Sequence, residues 1–440
     1  MSEAKWTSYP RPQLKRESYY NLNGEWELDG SKIEIPFAPQ SRLSNYKGVV
    51  GDKLVYTKTF TLPEDFTKPR VILHFGAVDQ IAEVYLNDVL IGKHEGGYLH
   101  FSLDITSEVK KSGINTLRVE VEDTLSQKYP YGKQCKKRGG MWYTPISGIW
   151  QTVWMEPVDK THITEYYPVS DLAKSTLKVS VKTANAYTSD VVKVELLEGG
   201  IGYDPEKPSD KVLVEANLSK KGEVVLNVPD MKTWSPDSPY LYGIRITITR
   251  DGKVIDKIEG YTAMRSIAAK QDSSLNKYKR MALNGENLFQ YGPLDQGWWP
   301  DGLYTAPCDE ALKFDIVKTK EMGYNMIRKH IKVEPEYFYY ACDKLGMLGI
   351  QDMVNNGEYS FLRDTAMPNM GKFDPSAMFG GEMPELTDGL HNRQTNGLPL
   401  FPMMFVSIAC GAISGFHGTQ SPLMARCVTN ERQGRWIFYG

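Results

Sequence analysis

The sequence has few cysteines, no long apolar run and almost no net charge, and each shortage excludes a class of protein. The chain has five cysteines, none with the spacing of a zinc site or a disulfide framework: Cys135, Cys308, Cys342, Cys410 and Cys427. No stretch approaches the ~20 apolar residues that span a bilayer, and Met1–Pro12 contains no signal-peptide core. The 52 basic and 54 acidic residues nearly cancel, which argues against nucleic acid or an anionic membrane as a partner. We therefore expect a neutral ligand and a reducing, cytoplasmic location, or a secreted or periplasmic one if a signal peptide has been removed.

The first part of the chain, residues 1–158, alternates apolar and polar side chains with a period of two. Residues 117–121 read Leu-Arg-Val-Glu-Val, as expected of a strand with one buried and one wet face. Asn87 and Asp88 separate two apolar runs and favour a tight hairpin, since both residue types tolerate left-handed dihedrals. No helical period intervenes. The pattern predicts an antiparallel β-sandwich of the jelly-roll type.

The second part, residues 159–268, repeats this pattern. Residues 242–248 alternate apolar side chains with a period of two, and Asp251-Gly252 supplies another hairpin turn. About seven strands in roughly a hundred residues is typical of an immunoglobulin-like sandwich.

The third part, residues 280–440, changes period after a polar linker. The pattern predicts, in chain order, strand Phe289–Gly292, helix Pro307–Met322, strand Tyr324–Arg328, a helix from Pro335 to Gly346 and strand Leu348–Met353. A βαβαβ order demands a parallel sheet, here the opening of a (β/α)₈ TIM barrel. A complete barrel needs about 250 residues, and residues 371–440 show no clear rhythm, so we expect a partial barrel with a truncated or frame-shifted end.

Four strings, in chain order, resemble segments of glycoside hydrolase family 2, which includes β-galactosidases, β-glucuronidases and β-mannosidases. The strings are Leu22–Trp26, Trp142–Gln151, Trp234–Tyr242 and Leu283–Gly285. The resemblance implies a mainly β multidomain chain with a jelly roll, an immunoglobulin-like sandwich and a barrel. It also implies a glycosidase that hydrolyses terminal β-linked sugars, of β-galactoside or β-glucuronide type, by a retaining mechanism with two Glu residues.

The predicted barrel strands carry polar residues where a barrel enzyme binds its substrate. Asn325, Arg328 and His330 accompany the second strand, and Asp352 ends the third. The resemblance places an Arg and a nearby His beside the substrate, and Arg can orient a carboxylate or a sugar hydroxyl with its planar fork. We expect Arg328, His330 and Asp352 to converge on one rim, where they bind sugar or form a purely structural ion pair.

Two further features of this region are less specific. Trp298 and Trp299, in a loop rich in glycine and proline, suit a sugar-stacking platform or packing beneath the rim. In the family the acid/base Glu follows an Asn, which makes Glu431, after Asn430, the candidate. No second catalytic Glu is identified, so we expect impaired hydrolysis.

The sequence leaves several alternatives open. A non-catalytic carbohydrate-binding or scaffolding protein, in which the sandwiches are the working part, is the rival to a glycosidase. No cofactor is required by the resemblance, although Mg²⁺ or Na⁺ binding stays open without a ligand set. The expected partner is a carbohydrate substrate, and a homo-oligomer is also left open.

Overall fold

The computed structural model of the chain describes residues 6–137, 142–271 and 279–354. Within these ranges the protein is mainly β, with two antiparallel sandwiches followed by a small parallel sheet.

The first sandwich packs a six-stranded sheet against a four-stranded one. Their orders are β3-β2-β4-β10-β7-β8 and β1-β12-β5-β9, with a short β11-β6 pair beside them. The strands are β1 (Tyr20–Asn21), β2 (Gly24–Leu28), β3 (Ser31–Ile35), β4 (Lys53–Phe60), β5 (Arg70–Phe75), β6 (Val78–Asp79), β7 (Ile81–Leu86), β8 (Val89–Glu95), β9 (Phe101–Asp104), β10 (Asn115–Glu122), β11 (Gly148–Ile149) and β12 (Val153–Val158), with a 3₁₀ turn at Arg42–Ser44.

The alternation in the sequence explains this packing. Trp26, Leu73, Val119 and Met155 are almost fully buried and come from both sheets, so one face of each sheet forms a shared core. The turn between β7 and β8 has positive φ at both Asn87 and Asp88, which confirms the predicted hairpin.

In the second sandwich a three-stranded sheet, β13-β14-β17, faces a four-stranded sheet, β16-β15-β18-β19. The strands are β13 (His162–Asp171), β14 (Thr176–Ala184), β15 (Val191–Ile201), β16 (Val212–Asn217), β17 (Glu223–Asn227), β18 (Tyr240–Arg250) and β19 (Lys253–Thr262). Val179, Leu196 and Ile246 lie in its core. Asp251 and Gly252 both have positive φ, as the predicted hairpin between β18 and β19 requires.

The third part contains the predicted βαβαβ run. A small antiparallel sheet, β20 (Ile267–Gln271), β21 (Lys279–Leu283) and β22 (Glu286–Asn287), leads into it. The run itself is β23 (Leu294–Asp295), α1 (Asp309–Glu321), β24 (Met326–Lys329), α2 (Glu336–Leu345) and β25 (Leu348–Gln351). The three strands are parallel, with β24 between the other two. Helix α2 ends at Gly346, whose φ of 73° is the left-handed conformation that favours glycine.

The first strand of this sheet begins later than predicted. The apolar run at Phe289–Gly292 is not a strand, and Phe289 is 80% exposed. The backbone of Phe289 and Tyr291 forms hydrogen bonds with the side chain of Asn325. The parallel strand pairing with β24 therefore begins only after Pro293.

The N-terminal segment, residues 6–19, contacts all three parts of the fold. The Trp6 indole donates to the Ala306 carbonyl oxygen at 2.9 Å, and the Tyr9 hydroxyl donates to Glu156 of β12. Arg16 pairs with Asp256 of β19. The segment therefore ties the two sandwiches and the α1 region together through buried contacts.

Candidate functional site

The carboxyl ends of β24 and β25 bring three predicted residues together. Arg328 pairs with Ile350 in the parallel register, so both strands end at the same edge of the sheet. The Arg328 Nε donates to Asp352 Oδ1 at 2.9 Å, and His330 Nδ1 lies 2.8 Å from Asp352 Oδ2. The predicted convergence of Arg328, His330 and Asp352 on one rim is confirmed, and we call these three side chains the rim cluster.

The rim cluster leaves hydrogen-bond donors facing solvent. Burial opposes ionisation of Asp352, but hydrogen bonds from Arg328 and His330 outweigh it and hold the Asp352 pKa below its usual value. The Arg328 side chain is 54% exposed and uses only its Nε. Within the described residues its two terminal nitrogens make no hydrogen bond. A ligand that offers oxygen acceptors therefore fits this part of the rim.

A fourth side chain reaches the rim cluster from the first sandwich. Lys133 Nζ lies 3.1 Å from His330 Nε2. If the ammonium donates to Nε2, the ring carries its proton on Nδ1 and donates it to Asp352. Burial and the Arg328 charge lower the Lys133 pKa, while Asp352 opposes the shift. Lys133 could not be identified from the sequence, because 197 positions separate it from His330 and no local pattern links them.

Asn325 lies at the opposite end of the strand. It precedes β24, where its Oδ1 accepts from the Tyr291 backbone N–H at 2.9 Å and its Nδ2 donates to the Phe289 carbonyl oxygen at 2.8 Å. A strand rises about 3.3 Å per residue, so its backbone is about 10 Å from that of Arg328. The structure therefore does not bring Asn325 to the rim with the other predicted residues, because it joins the loop before β23 to the amino end of β24.

The adjacent tryptophans pack at the junction with the first sandwich. Trp298 is half-buried, with ring centroids 4.5 Å from Tyr304 and 5.0 Å from Tyr143. Trp299 packs against a core cluster that includes Phe37. These contacts support the packing alternative for Trp299, and a sugar-stacking role for either ring stays a prediction.

A buried charge network lies directly beneath the rim. Lys329 Nζ is 2.6 Å from Asp295 Oδ2 and 2.8 Å from Glu334 Oε1. Lys332 Nζ is 2.9 Å from the same Glu334 oxygen and donates to the carbonyl oxygens of Gly297 and Tyr304. The network therefore fixes the loop between β23 and α1 beside the rim.

The two lysines of this network have opposite pKa shifts. Burial lowers the Lys332 pKa to about 8, although Glu334 opposes the shift. Burial also disfavours the charge on Lys329, but Glu334 and Asp295 outweigh it and raise the Lys329 pKa. Neither lysine could be identified from the sequence, because Lys is rarely buried unless it is paired.

Glu431, the candidate acid/base, lies outside the described residues. Among the residues that the structure describes, no group of three or more His, Cys, Asp or Glu side chains could hold a metal ion. None of the described helices is long and apolar enough to cross a membrane.

Comparisons with known proteins match the two sandwiches to one family. Residues 28–147 match the family model described as glycosyl hydrolase 2 galactose-binding domain-like, and residues 161–265 match that of glycosyl hydrolases family 2. The chain is 26% identical over 301 residues to a β-galactosidase of Thermoanaerobacter pseudethanolicus, covering 68% of this chain and 39% of the relative. It is 25% identical over 290 residues to a β-glucuronidase of Formosa agariphila, covering 62% and 29%. The chain thus spans well under half the length of these relatives.

A solved structure shares the fold. The β-glucuronidase of Ruminococcus gnavus superposes with a TM-score of 0.65 at 20% identity, over 78% of this chain and 61% of that one. At this identity the likeness concerns the fold alone.

The C-terminal stretch has different relatives. Residues 381–440 match the family model of carbon starvation protein CstA. An uncharacterized membrane protein of Haemophilus influenzae is 60% identical over 50 residues, which are 11% of this chain and 14% of that protein. Glu431 falls within the CstA match. The two matches to the sandwiches lead to one conclusion: this part of the chain, residues 28–265, belongs to glycosyl hydrolase family 2.

Proposed function

We propose that the chain is part of a β-glycosidase that hydrolyses terminal β-linked sugars of β-galactoside or β-glucuronide type by a retaining mechanism. The rim cluster at the carboxyl ends of parallel strands carries the proposal, because barrel enzymes bind their substrates at this edge. The names of the relatives, β-galactosidase and β-glucuronidase, support the same reaction class. In this proposal β23–β25 open a (β/α)₈ barrel, the first sandwich is a jelly roll and the second is immunoglobulin-like.

The rim cluster orients the sugar in this proposal. The terminal N–H groups of Arg328 donate to a hydroxyl or carboxylate of the sugar, while Asp352 holds the guanidinium in place through its Nε. Lys133 and Asp352 together fix the His330 ring. Trp298 lies in the loop after β23 and is available as an apolar border to the site.

The two catalytic carboxyl groups of a retaining glycosidase lie about 5–5.5 Å apart on opposite faces of the sugar. Asp352 is the carboxylate of the rim cluster, and both of its oxygens are already bonded. The assignment of Glu431 as acid/base has the least support, since that residue lies in the stretch that matches CstA. A cytoplasmic location and a homo-oligomer also remain predictions.

A non-catalytic carbohydrate-binding protein is the second candidate. It is favoured by the match of residues 28–147 to a galactose-binding domain-like family model. In that case the sandwiches bind sugar and the rim has no part in it.

We expect the chain to bind sugars without hydrolysing them. Retention depends on a carboxylate nucleophile and an acid/base, and the rim cluster supplies only a carboxylate that is held by Arg328 and His330. Release of nitrophenol from 4-nitrophenyl β-galactoside and β-glucuronide measures turnover. Turnover that Glu431→Gln abolishes would contradict this expectation and establish Glu431 as catalytic.

Replacing Arg328 by lysine should weaken sugar binding by roughly tenfold, because an ammonium cannot reproduce the planar donor fork of a guanidinium. Titration calorimetry with methyl β-galactoside and methyl β-glucuronide measures the effect. Arg280→Lys, an exposed site on β21, is the matched control and should leave binding unchanged. Unchanged binding in Arg328→Lys would favour the sandwich-binding alternative.

A further inference from the structure

A cavity of about 110 Å³ lies between the N-terminal segment, the first sandwich and the start of helix α2. This volume is well above the ~10–15 Å³ that a single water needs. Aromatic side chains dominate its wall: Trp6, Tyr9, Tyr98, Trp154, Tyr337 and Tyr339. None of the side chains of the rim cluster lines it, so the cavity is separate from the proposed sugar site.

The charged side chains of the cavity wall are acidic. Asp309, Glu334 and Glu336 line it, whereas its lining residues include no lysine or arginine. Asp309 is 4% exposed, and its Oδ1 has no hydrogen-bond partner within the described residues. Glu334 is also 4% exposed; Lys329 and Lys332 both bond to its Oε1. Of these two carboxylates, Asp309 therefore has a buried oxygen with unused acceptor capacity.

Glu336 lies at the start of α2 and titrates near neutral pH. Burial raises its pKa to about 7, with the guanidinium of Arg11 opposing the shift and the Glu156 carboxylate adding to it. His100 Nδ1 lies 3.8 Å from Glu336 Oε1, and burial lowers the His100 pKa. Arg11 is engaged with Glu156 at 3.1 Å. Above neutral pH Glu336 is therefore ionised, which adds one negative charge to the cavity wall and no positive charge.

We propose that this cavity binds a small organic cation of the alkylated ammonium class. Ring faces attract a cation through their negative quadrupole, and several rings around a cavity form the cage that recognises quaternary ammonium groups. The carboxylates of the wall add direct charge attraction. A metal ion fits this wall less well, because hard cations require converging oxygen ligands and no described acidic or histidine cluster provides them.

The test uses tetramethylammonium chloride and the full chain. Calorimetry should show saturable binding with a dissociation constant on the order of millimolar. Saturation of the aromatic protons should transfer to the ligand methyl groups in NMR. tert-Butanol, a neutral molecule of similar size, should bind much more weakly. Equal binding of tert-butanol, or no saturable binding of tetramethylammonium, would overturn the proposal.

Glu336→Gln should weaken tetramethylammonium binding by roughly tenfold at pH 8 and remove its dependence on pH between 6 and 8. In the unsubstituted chain affinity should rise with pH over this window, because Glu336 becomes ionised. Glu310→Gln, exposed in the first turn of α1 and outside the cavity, is the matched control. A second variant, Tyr337→Leu, removes one ring and should also weaken binding. Unchanged affinity in a folded Glu336→Gln or Tyr337→Leu variant would count against the cavity as the site.

Discussion

Replacing Glu156 by glutamine is expected to lower the free energy of unfolding by about 3–5 kcal/mol, the cost of breaking a buried ion pair. Glu156 lies on β12 and is 1% exposed. Its Oε2 is 3.1 Å from Arg11 Nη2, 3.4 Å from Arg16 Nε and 3.2 Å from His74 Nε2, and its Oε1 accepts from the Tyr9 hydroxyl. The amide keeps the shape of the carboxylate but removes the charge that Arg11 and Arg16 face. Arg16 keeps Asp256 as a partner, whereas Arg11 loses its paired carboxylate.

Urea denaturation of the full chain measures this effect. Glu25→Gln is the matched control, because Glu25 pairs with Lys32 at 2.8 Å with both side chains mostly exposed. An exposed ion pair contributes at most about 1 kcal/mol. Equal losses in the two variants would show that the Glu156 network contributes no more than a surface pair.

The same network should make the loss depend on pH. Burial disfavours the Glu156 charge, but Arg11, His74 and Arg16 outweigh it and hold the Glu156 pKa well below its usual value. A carboxylate with a depressed pKa contributes stability above its unfolded pKa of about 4.3, and that contribution is lost as the pH falls towards the folded value. The difference between the unsubstituted chain and Glu156→Gln should therefore be largest near neutral pH and shrink below about pH 4.

Local patterns in the sequence predicted the sandwiches and the βαβαβ run. Alternation at residues 117–121 requires only that one face of a strand is buried, and β10 has this burial pattern. The rim cluster was also predictable, since a single helix joins β24 to β25 and such crossovers place strands parallel. Arg328 and Asp352 then meet because each lies at the carboxyl end of its strand.

Long-range contacts could not be predicted in the same way. Lys133 reaches His330 across 197 positions, and the N-terminal segment enters both sandwiches through Arg16 and Tyr9. These contacts depend on how separate parts of the fold dock, for which a single sequence has no periodic signal. The position of Asn325 could not be predicted either. A polar residue next to a strand can lie at its amino or its carboxyl end, and only the strand bounds in the structure place Asn325 at the amino end of β24.

The burial of lysine side chains is a third feature that could not be predicted from the sequence. Lys329 sits between Arg328 and His330, and alternation alone directs it away from them, into the sheet interior. Lysine side chains are usually exposed, so the alternation of the strand and the usual exposure of lysine make opposite predictions for Lys329. The conflict is resolved by Asp295, the last residue of β23, and Glu334, in the loop before α2, which compensate the buried charge.

Replacing Lys329 by methionine is expected to destabilise the βαβαβ region by about 3–5 kcal/mol. Lys329 is 2% exposed, and methionine fills its volume without the ammonium. Glu334 keeps Lys332 as a partner at 2.9 Å. Asp295 loses the bond from the Lys329 ammonium and keeps only the backbone N–H of Gly297. The cost should therefore come mainly from an uncompensated Asp295 carboxylate.

A double-mutant cycle separates this cause from simple loss of packing. Asp295→Asn in the Lys329→Met background should recover part of the lost stability, because it removes the carboxylate that was left without a partner. Lys318→Met on α1, whose partner Glu321 is exposed, should change stability by less than about 1 kcal/mol. Urea denaturation of the four chains of the cycle gives the coupling energy between Lys329 and Asp295. Additive losses would mean that the two side chains act independently, and the network beneath the rim would then be a set of separate contacts.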